Sequence, residues 1–358
     1  MRIILMGTGP FAVPTCERLL ADGHDIPLVV TRPLVDPNAR KTPPRPVFDW
    51  AQDEGLPILE PASINTPEAI GELKSLKADL FFVCDYGQIL SQDCLEASKL
   101  GGINLHGSLL PRHRGAAPVQ WSLLRGDKVA GVSVIHMTPR LDAGPTLAIR
   151  ETSVLDDETA EELEPRLAEI GIGATVESLE TLESWDGIQE IGAVQDKGLV
   201  TKAPRFAKQD GALDFRLPAD YLVRLIRACQ PWPGTFAELA WPDGKKKLRL
   251  IIRRARHLAA LPDLDLQPGE ACRLSIAELL EEGPSSLSSS GWPAAELWSG
   301  KWQEVIAVGC SEGVLLISEI QPSGKRLMNA QEFMRGHRIT EGCQFSLPDP
   351  PKTRLDVA

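Results

Sequence analysis

The first half of this 358-residue chain alternates short apolar runs with amphipathic stretches, and that alternation narrows the possible folds more than any other feature. Arg2 to Met6, Ile26 to Thr31, Leu80 to Cys84, Gly102 to Leu105 and Val132 to Met137 read as strands. The stretches around Pro14 to Asp22, Val47 to Glu54, Thr66 to Leu76 and Ala117 to Arg125 carry apolar residues at helical spacing. Parallel neighbours need a crossover long enough for a helix, so strand and helix taking turns predict an α/β unit with a doubly wound, mostly parallel sheet. A further helix over Thr159 to Leu182 closes the unit.

The pattern then changes. Periodicity fades over residues 197–210, a candidate linker, which sets 1–196 apart as one domain. Residues 211–358 start with a helix over Pro218 to Ala228. Short strand-like runs follow at Thr235 to Ala240, Leu248 to Arg253, Glu304 to Val308 and Val314 to Ile320, which predicts a small β-barrel. Serine-rich residues 283–300 read as a flexible insertion between barrel strands.

Chemistry concentrates where one apolar run ends. Asn104 and His106 stand two residues apart, so a strand aims both side chains to one face, and the Gly- and Pro-rich sequence after them places the pair at the strand's carboxyl end. An amide donor beside an imidazole suits a reaction in which a carbonyl oxygen becomes negative. Asp142 lies in a loop after the strand-like Gly131 to Met137. Gly7-Thr8-Gly9-Pro10-Phe11-Ala12 fits the dinucleotide fingerprint only loosely: Pro10 removes an amide donor and no acid follows the second strand, so a tight strand-to-helix turn is the better reading.

Asn104-Leu-His-Gly-Ser-Leu-Leu-Pro111-Arg-His-Arg-Gly115 resembles the signature of the folate-dependent formyltransferases, and Leu141-Asp142-Ala143-Gly144 resembles their catalytic Leu-Asp-x-Gly loop. Arg114-Gly-Ala-Ala-Pro-Val-Gln120, Gln195-Asp196 to Phe215, Ile226-Arg227-Ala228, Pro231-Trp-Pro233 and Met328 to Phe333 are similar to the tRNA-acting branch of that family. The resemblance implies an OB-like second domain and formyl transfer from 10-formyltetrahydrofolate to the α-amino group of methionine on initiator tRNA, with Asn104, His106 and Asp142 catalytic and no metal. It further implies folate contacts at Tyr86, Gly87, Gln88, Ile89 and Leu90 and at Ser108, Leu109, Leu110 and Pro111. Substrate contacts are implied at Gly7 and Phe11 and in the loop bearing Arg40, Lys41 and Arg45. His113 stands where the family has Trp or Tyr, and Gln230 where it has Asn.

Charge is unevenly spread. The formal net charge is -11, yet residues 201–260 hold 13 Lys and Arg against 5 Asp and Glu, whereas residues 151–200 hold 14 acids against 2 bases. Such asymmetry reads as a polyanion-facing surface, in which Lys245, Lys246 and Lys247 are candidate phosphate contacts, beside a repelling one. Because the catalytic three precede residue 145 and the positive surplus follows 200, chemistry and docking read as separately encoded, and a fragment ending near Gln195 is expected to fold and bind folate. Seven cysteines without a Cys-x-x-Cys pair point to reduced thiols. No apolar run approaches the roughly 20 residues of a membrane span, and the N-terminus lacks a signal pattern. A cytoplasmic enzyme without a membrane or obligate protein partner is the expectation. The competing classes are a formyltransferase acting on a nucleotide-linked amino sugar, a dinucleotide-binding redox module and a catalytically silent RNA-binding protein.

Overall fold

The computed structural model describes residues 1–34, 43–244, 246–261, 265–277, 303–352 and 355. The proposed insertion at 283–300 lies outside the described residues, as do Arg40, Lys41 and Lys245. The first sheet comprises β1 (Ile3–Gly7), β2 (Val29–Val30), β3 (Ile58–Leu59), β4 (Leu80–Cys84), β5 (Gly102–His106), β6 (Val129–His136) and β7 (Thr146–Ser153). Their order is β3-β2-β1-β4-β5-β6-β7. The pairs from β3 to β5 are parallel, and β5–β6 and β6–β7 are antiparallel. β1 and β4 are buried along their whole length, as strands covered on both faces must be, which is why Ile-Ile-Leu-Met and Leu-Phe-Phe-Val-Cys run without polar interruption.

Five helices, α1 (Val13–Ala21), α2 (Pro46–Asp53), α3 (Pro67–Ser75), α4 (Gln92–Leu95) and α5 (Pro118–Arg125), connect or flank these strands. The turn after β1 is tight, as expected, with a 3-10 turn over Pro10–Ala12 leading straight into α1. The long helix α6 (Ala160–Glu183) opens on a reciprocal cap, in which Thr159 N–H donates to the Glu162 carboxylate. It lies close against β5: a Cβ at Gly171 would sit 2.8 Å from a Leu105 methyl, so glycine lets the helix settle behind the strand that carries Asn104 and His106.

The second unit begins with α7 (Ala219–Ala228), which packs on α5. Its strands are β8 (Thr235–Ala240), β9 (Lys247–Leu258), β10 (Glu270–Ser275), β11 (Glu304–Gly309), β12 (Val314–Pro322), β13 (Met328–Asn329) and β14 (Cys343–Phe345), with α8 (Ala330–Gly336) before the last. Order β11-β10-β14-β8-β9-β12, with β11 also pairing β12, closes a six-stranded antiparallel barrel, and β13 hangs on β12. Gln230 is buried, and its amide donates to the Ile226 and Arg253 carbonyls, tying the end of α7 to β9.

The two units share one apolar core that runs from Leu5 and Phe82 through Trp121 and Leu222 to Leu250 and Phe345. Charge joins them too. Arg253 pairs with Glu161 at 3.0 Å, Arg254 with Glu162 and Arg256 with Asp157. Burial works against the Glu162 carboxylate, but hydrogen bonds from Thr159 and Arg254 outweigh it and hold the group below its usual range. The asymmetry that read as a polyanion-facing surface is therefore, at these three arginines, the complementary interface between the two halves of the chain.

Candidate active site

Asn104, His106 and Asp142 line one cavity of about 430 Å³, within the usual range for small-ligand sites. β5 presents Asn104 and His106, and the β6–β7 loop brings Asp142 to them: His106 Nδ1 lies 3.8 Å from Asp142 Oδ1, inside ion-pair range and longer than a hydrogen bond. The imidazole is 6% exposed, and its Nε2 lies 3.0 Å from the His113 carbonyl. A carbonyl only accepts, so Nε2 carries a hydrogen and Nδ1 is the nitrogen free to exchange a proton on the Asp142 side.

Asp142 is held on two sides. Its Oδ2 accepts the Gly115 N–H at 2.8 Å. Gly115 has φ +134, and a Cβ there would lie 2.5 Å from the Ala203 carbonyl, so only glycine lets that N–H reach the carboxylate. On the other side the Gln195 amide donates to the Asp142 carbonyl at 3.0 Å and to the Gly144 carbonyl at 2.7 Å. Asp142 itself has φ +49, a conformation that Asp and Asn adopt more readily than other non-glycine residues.

The remaining sequence-derived candidates divide. Phe11 and Tyr86, Gly87, Gln88, Ile89 and Leu90 line the same cavity. Tyr86 is buried with no hydrogen-bond partner for its hydroxyl among the described residues, and burial pushes that phenol up. The Gln88 amide is engaged with Ile64 N–H at 2.8 Å and the Pro61 carbonyl at 3.3 Å, so it braces the loop. Ser108, Leu109, Leu110 and Pro111 do not line the cavity. Ser108 Oγ donates to the Arg112 carbonyl and Leu110 N–H to Ser133 Oγ, which makes this segment the turn that fixes the end of β5. Gly7 pairs with Cys84 inside the sheet. Arg45 is paired with Glu60 and stacked on Phe48, its guanidinium carbon 3.6 Å from the ring centroid. Lys246 contacts His337 Nδ1 at 2.8 Å and the Trp241 ring at 4.2 Å, and Lys247 lies 3.6 Å from Glu238; both are exposed. The seven cysteines are free thiols.

Sequence patterns do not reveal four charged groups on the cavity wall, Asp85, Arg140, Glu164 and Arg205. Asp85 closes an otherwise apolar run and gives no periodic signal. Burial holds its carboxyl above the usual range, with Arg205 opposing, and Glu164 is raised by burial and then by the charge of Asp85. Both acids bind a proton more tightly folded than unfolded, so their contribution to stability is best at low pH and worsens as pH rises from the unfolded value through the raised folded one. Asp85→Asn is expected to raise Tm at about pH 7 and to change it little at about pH 3. Calorimetry at the two pH values checks this, and a lower Tm at neutral pH counts against it.

His113, the departure from the family pattern, contributes its main chain to the site through the His106 contact. Its ring instead meets Asp127, with Nε2 2.7 Å from Oδ2. An imidazole thus fills a buried position by finding a carboxylate partner.

A mostly parallel sheet with an Asn, His and Asp cavity at the carboxyl end of β5, followed by a closed antiparallel barrel, suits a two-domain group-transfer enzyme. The family model described as formyl transferase matches residues 1–179, and that of the formyl transferase C-terminal domain matches residues 205–338. The methionyl-tRNA formyltransferase of Rhodopirellula baltica is 44% identical over 97% of each chain, and that of Myxococcus xanthus is 37% identical over 96% of this chain and 97% of its own. Among solved structures, the N-formyltransferase from Helicobacter canadensis shares the fold with a TM-score of 0.57 at 13% identity, covering 88% of this chain and 98% of that one. HypX from Aquifex aeolicus, solved with tetrahydrofolic acid, aligns with a TM-score of 0.56 at 14% identity, over 100% of this chain and 50% of its own. The chain belongs to the methionyl-tRNA formyltransferase family.

Proposed function

We propose that the protein transfers the formyl group of 10-formyltetrahydrofolate to the α-amino group of methionyl initiator tRNA in the cytoplasm, giving formylmethionyl-tRNA for translation initiation. The observation that carries this reading is the meeting of Asn104, His106 and Asp142 in one cavity, in a chain of that family. The substrate amine attacks the formyl carbon, and the formyl oxygen becomes an oxyanion. Asn104 N–H and the Nδ1–H of a His106 imidazolium donate to that oxygen, and Asp142 takes the proton that the amine loses. Collapse breaks the bond between carbon and folate N10, and the proton held at the His106–Asp142 pair passes to that nitrogen as tetrahydrofolate leaves. Donors aimed at the developing charge are the main source of rate acceleration in such a site.

Tyr86 to Leu90 suit the folate donor. They line the cavity and include a buried phenol whose hydroxyl has no hydrogen-bond partner among the described residues. Phe11 contributes apolar surface to the same cavity. Among the described residues no helix is long and apolar enough to cross a membrane.

Incubating the protein with formyl-labelled 10-formyltetrahydrofolate and either methionyl-tRNA or a nucleotide-linked amino sugar tests the reading. Label is expected on the methionyl-tRNA; label on the sugar alone overturns it. Docking of tRNA should involve the exposed Lys246 and Lys247 on the barrel. Changing both to Ala is expected to reduce the slope of log affinity for tRNA against log salt by about 1 to 2 without altering folate affinity. An unchanged slope in a binding titration across salt concentrations assigns those lysines to their neighbours Trp241 and Glu238 alone.

A further inference from the structure

We propose that Gln195, aimed by Arg114, is a positioning residue for the catalytic aspartate, and that the chain between the two domains is thereby part of the active site's framework. The inference rests on the assignment of Asp142 as catalytic.

Gln195 lies outside both patterned regions of the sequence, yet it is 8% exposed and its side-chain amide is fully engaged. Its nitrogen donates to two carbonyls of the catalytic loop, Asp142 at 3.0 Å and Gly144 at 2.7 Å. Its oxygen accepts two bonds from the Arg114 guanidinium, 3.1 Å from Nε and 2.6 Å from Nη2. The pairing fixes the orientation of the amide: a flipped Gln195 would set its nitrogen against the guanidinium donors and its oxygen against two carbonyls. A bidentate guanidinium contact is directional, so Arg114 holds Gln195, and Gln195 holds the loop.

Arg114 is anchored in turn by the interdomain segment. Its N–H donates to the Thr201 carbonyl at 2.9 Å, and its carbonyl accepts Ala203 N–H at 2.7 Å. The neighbours of Arg114 touch the catalytic pair directly: the His113 carbonyl contacts His106 Nε2, and the Gly115 N–H contacts Asp142 Oδ2. His113 N–H also donates to Thr201 Oγ1 at 2.9 Å. Residues 195–203 therefore strap together the segment that holds His106 and the loop that carries Asp142. An aspartate at φ +49 in a loop outside any strand needs such support, since nothing in its own local structure defines the carboxylate's direction. The predicted linker of residues 197–210 is, at Thr201 and Ala203, a structural member of the site, together with Gln195 just before it.

Gln195→Met keeps the length and volume of the side chain while removing every hydrogen bond, and Gln195→Glu keeps the contact to Arg114 but turns a carboxylate oxygen toward two carbonyls. Both are expected to lower kcat for formylation of methionyl-tRNA by about 30-fold or more, with KM for 10-formyltetrahydrofolate within about threefold, because the effect reaches the reaction through Asp142. The decisive measurement is a double-mutant cycle. If Gln195 acts by aiming the Asp142 carboxylate, Gln195→Met in an Asp142→Asn background should cost less than about twofold further. A full, multiplicative loss in the double variant makes Gln195 a general structural residue and overturns the proposal, as does Gln195→Met with kcat within threefold of the parent. If Gln195→Met does not fold by circular dichroism and thermal melting, Arg114→Lys, which loses the fork and keeps the charge, takes its place in the same cycle under the same criteria. Asp142→Asn alone separates the two levels: normal turnover in that variant refutes the catalytic assignment, whereas a slow Asp142→Asn beside a fast Gln195→Met refutes only the positioning role.

Discussion

Asp142→Asn is expected to fold, to bind a tetrahydrofolate analogue within about threefold of the parent, and to lose about 100-fold or more in kcat, a barrier increase of about 2.7 kcal/mol. The shape is preserved because Asn tolerates the φ of +49 as well as Asp does, and its amide oxygen can still accept the Gly115 N–H. Geometry then dictates the damage. With the oxygen committed to Gly115, the amide NH₂ replaces Oδ1, the atom 3.8 Å from His106 Nδ1. Nδ1 then faces a donor in place of an anion. The imidazolium loses its counter-charge, and the amine's proton loses its acceptor. Single-turnover formylation and calorimetric titration with 5-formyltetrahydrofolate separate the two quantities. A folded Asp142→Asn enzyme with kcat within threefold of the parent would remove Asp142 from the chemistry, and a loss confined to KM would make it a binding residue.

How much of the fold and site is legible in the sequence depends on whether a residue's role is local. β1 and β4 carry their own signal, since strands buried on both faces are written as unbroken apolar runs. β7 is buried at Thr146 and Ala148 and reaches solvent at Arg150 and Glu151, so this edge strand of mixed polarity carries no clear period. β3 and β14, at two and three residues, are shorter than any periodicity can register. Asn104 and His106 stand out because their types and spacing suit one kind of chemistry, and Asp142 through the resemblance of Leu141-Asp142-Ala143-Gly144 to the family's catalytic loop. Gln195 does not, because its importance lies entirely in partners 51 to 81 residues away in sequence. Charge misleads for a similar reason: counting Arg253, Arg254 and Arg256 gives their sign, but only the fold shows that Glu161, Glu162 and Asp157 neutralise them.

That distinction governs a second result with a large expected effect, on a fragment comprising residues 1–196. Sequence alone favours its folding with folate binding intact, since every catalytic residue precedes 145. In the structure Trp121 is 3% exposed, its indole N–H donates to the Pro204 carbonyl at 2.7 Å, and its ring meets Phe206 at 5.5 Å. Cutting at 196 uncovers that face of α5 together with the acidic start of α6, and each large apolar side chain returned to water costs about 1.5 to 3 kcal/mol. The fragment is therefore expected to aggregate or to lose cooperative unfolding. Catalysis should suffer even in any folded fraction. Residues 113 to 117 lose the Thr201 and Ala203 bonds to their main chain, so the His113 carbonyl that holds His106 and the Gly115 N–H that holds Asp142 are no longer fixed. Transfer to any amine should fall by about 1000-fold, close to 4 kcal/mol, an amount that mispositioning alone can account for in a reaction governed by orientation. Size-exclusion chromatography, calorimetry and formyl transfer to a small amine, each compared with the full chain, test the expectation. A monodisperse fragment that unfolds cooperatively and turns over a small amine within tenfold of the full chain would show that the catalytic pair is held by its own domain, and that residues 197–203 are only a connector.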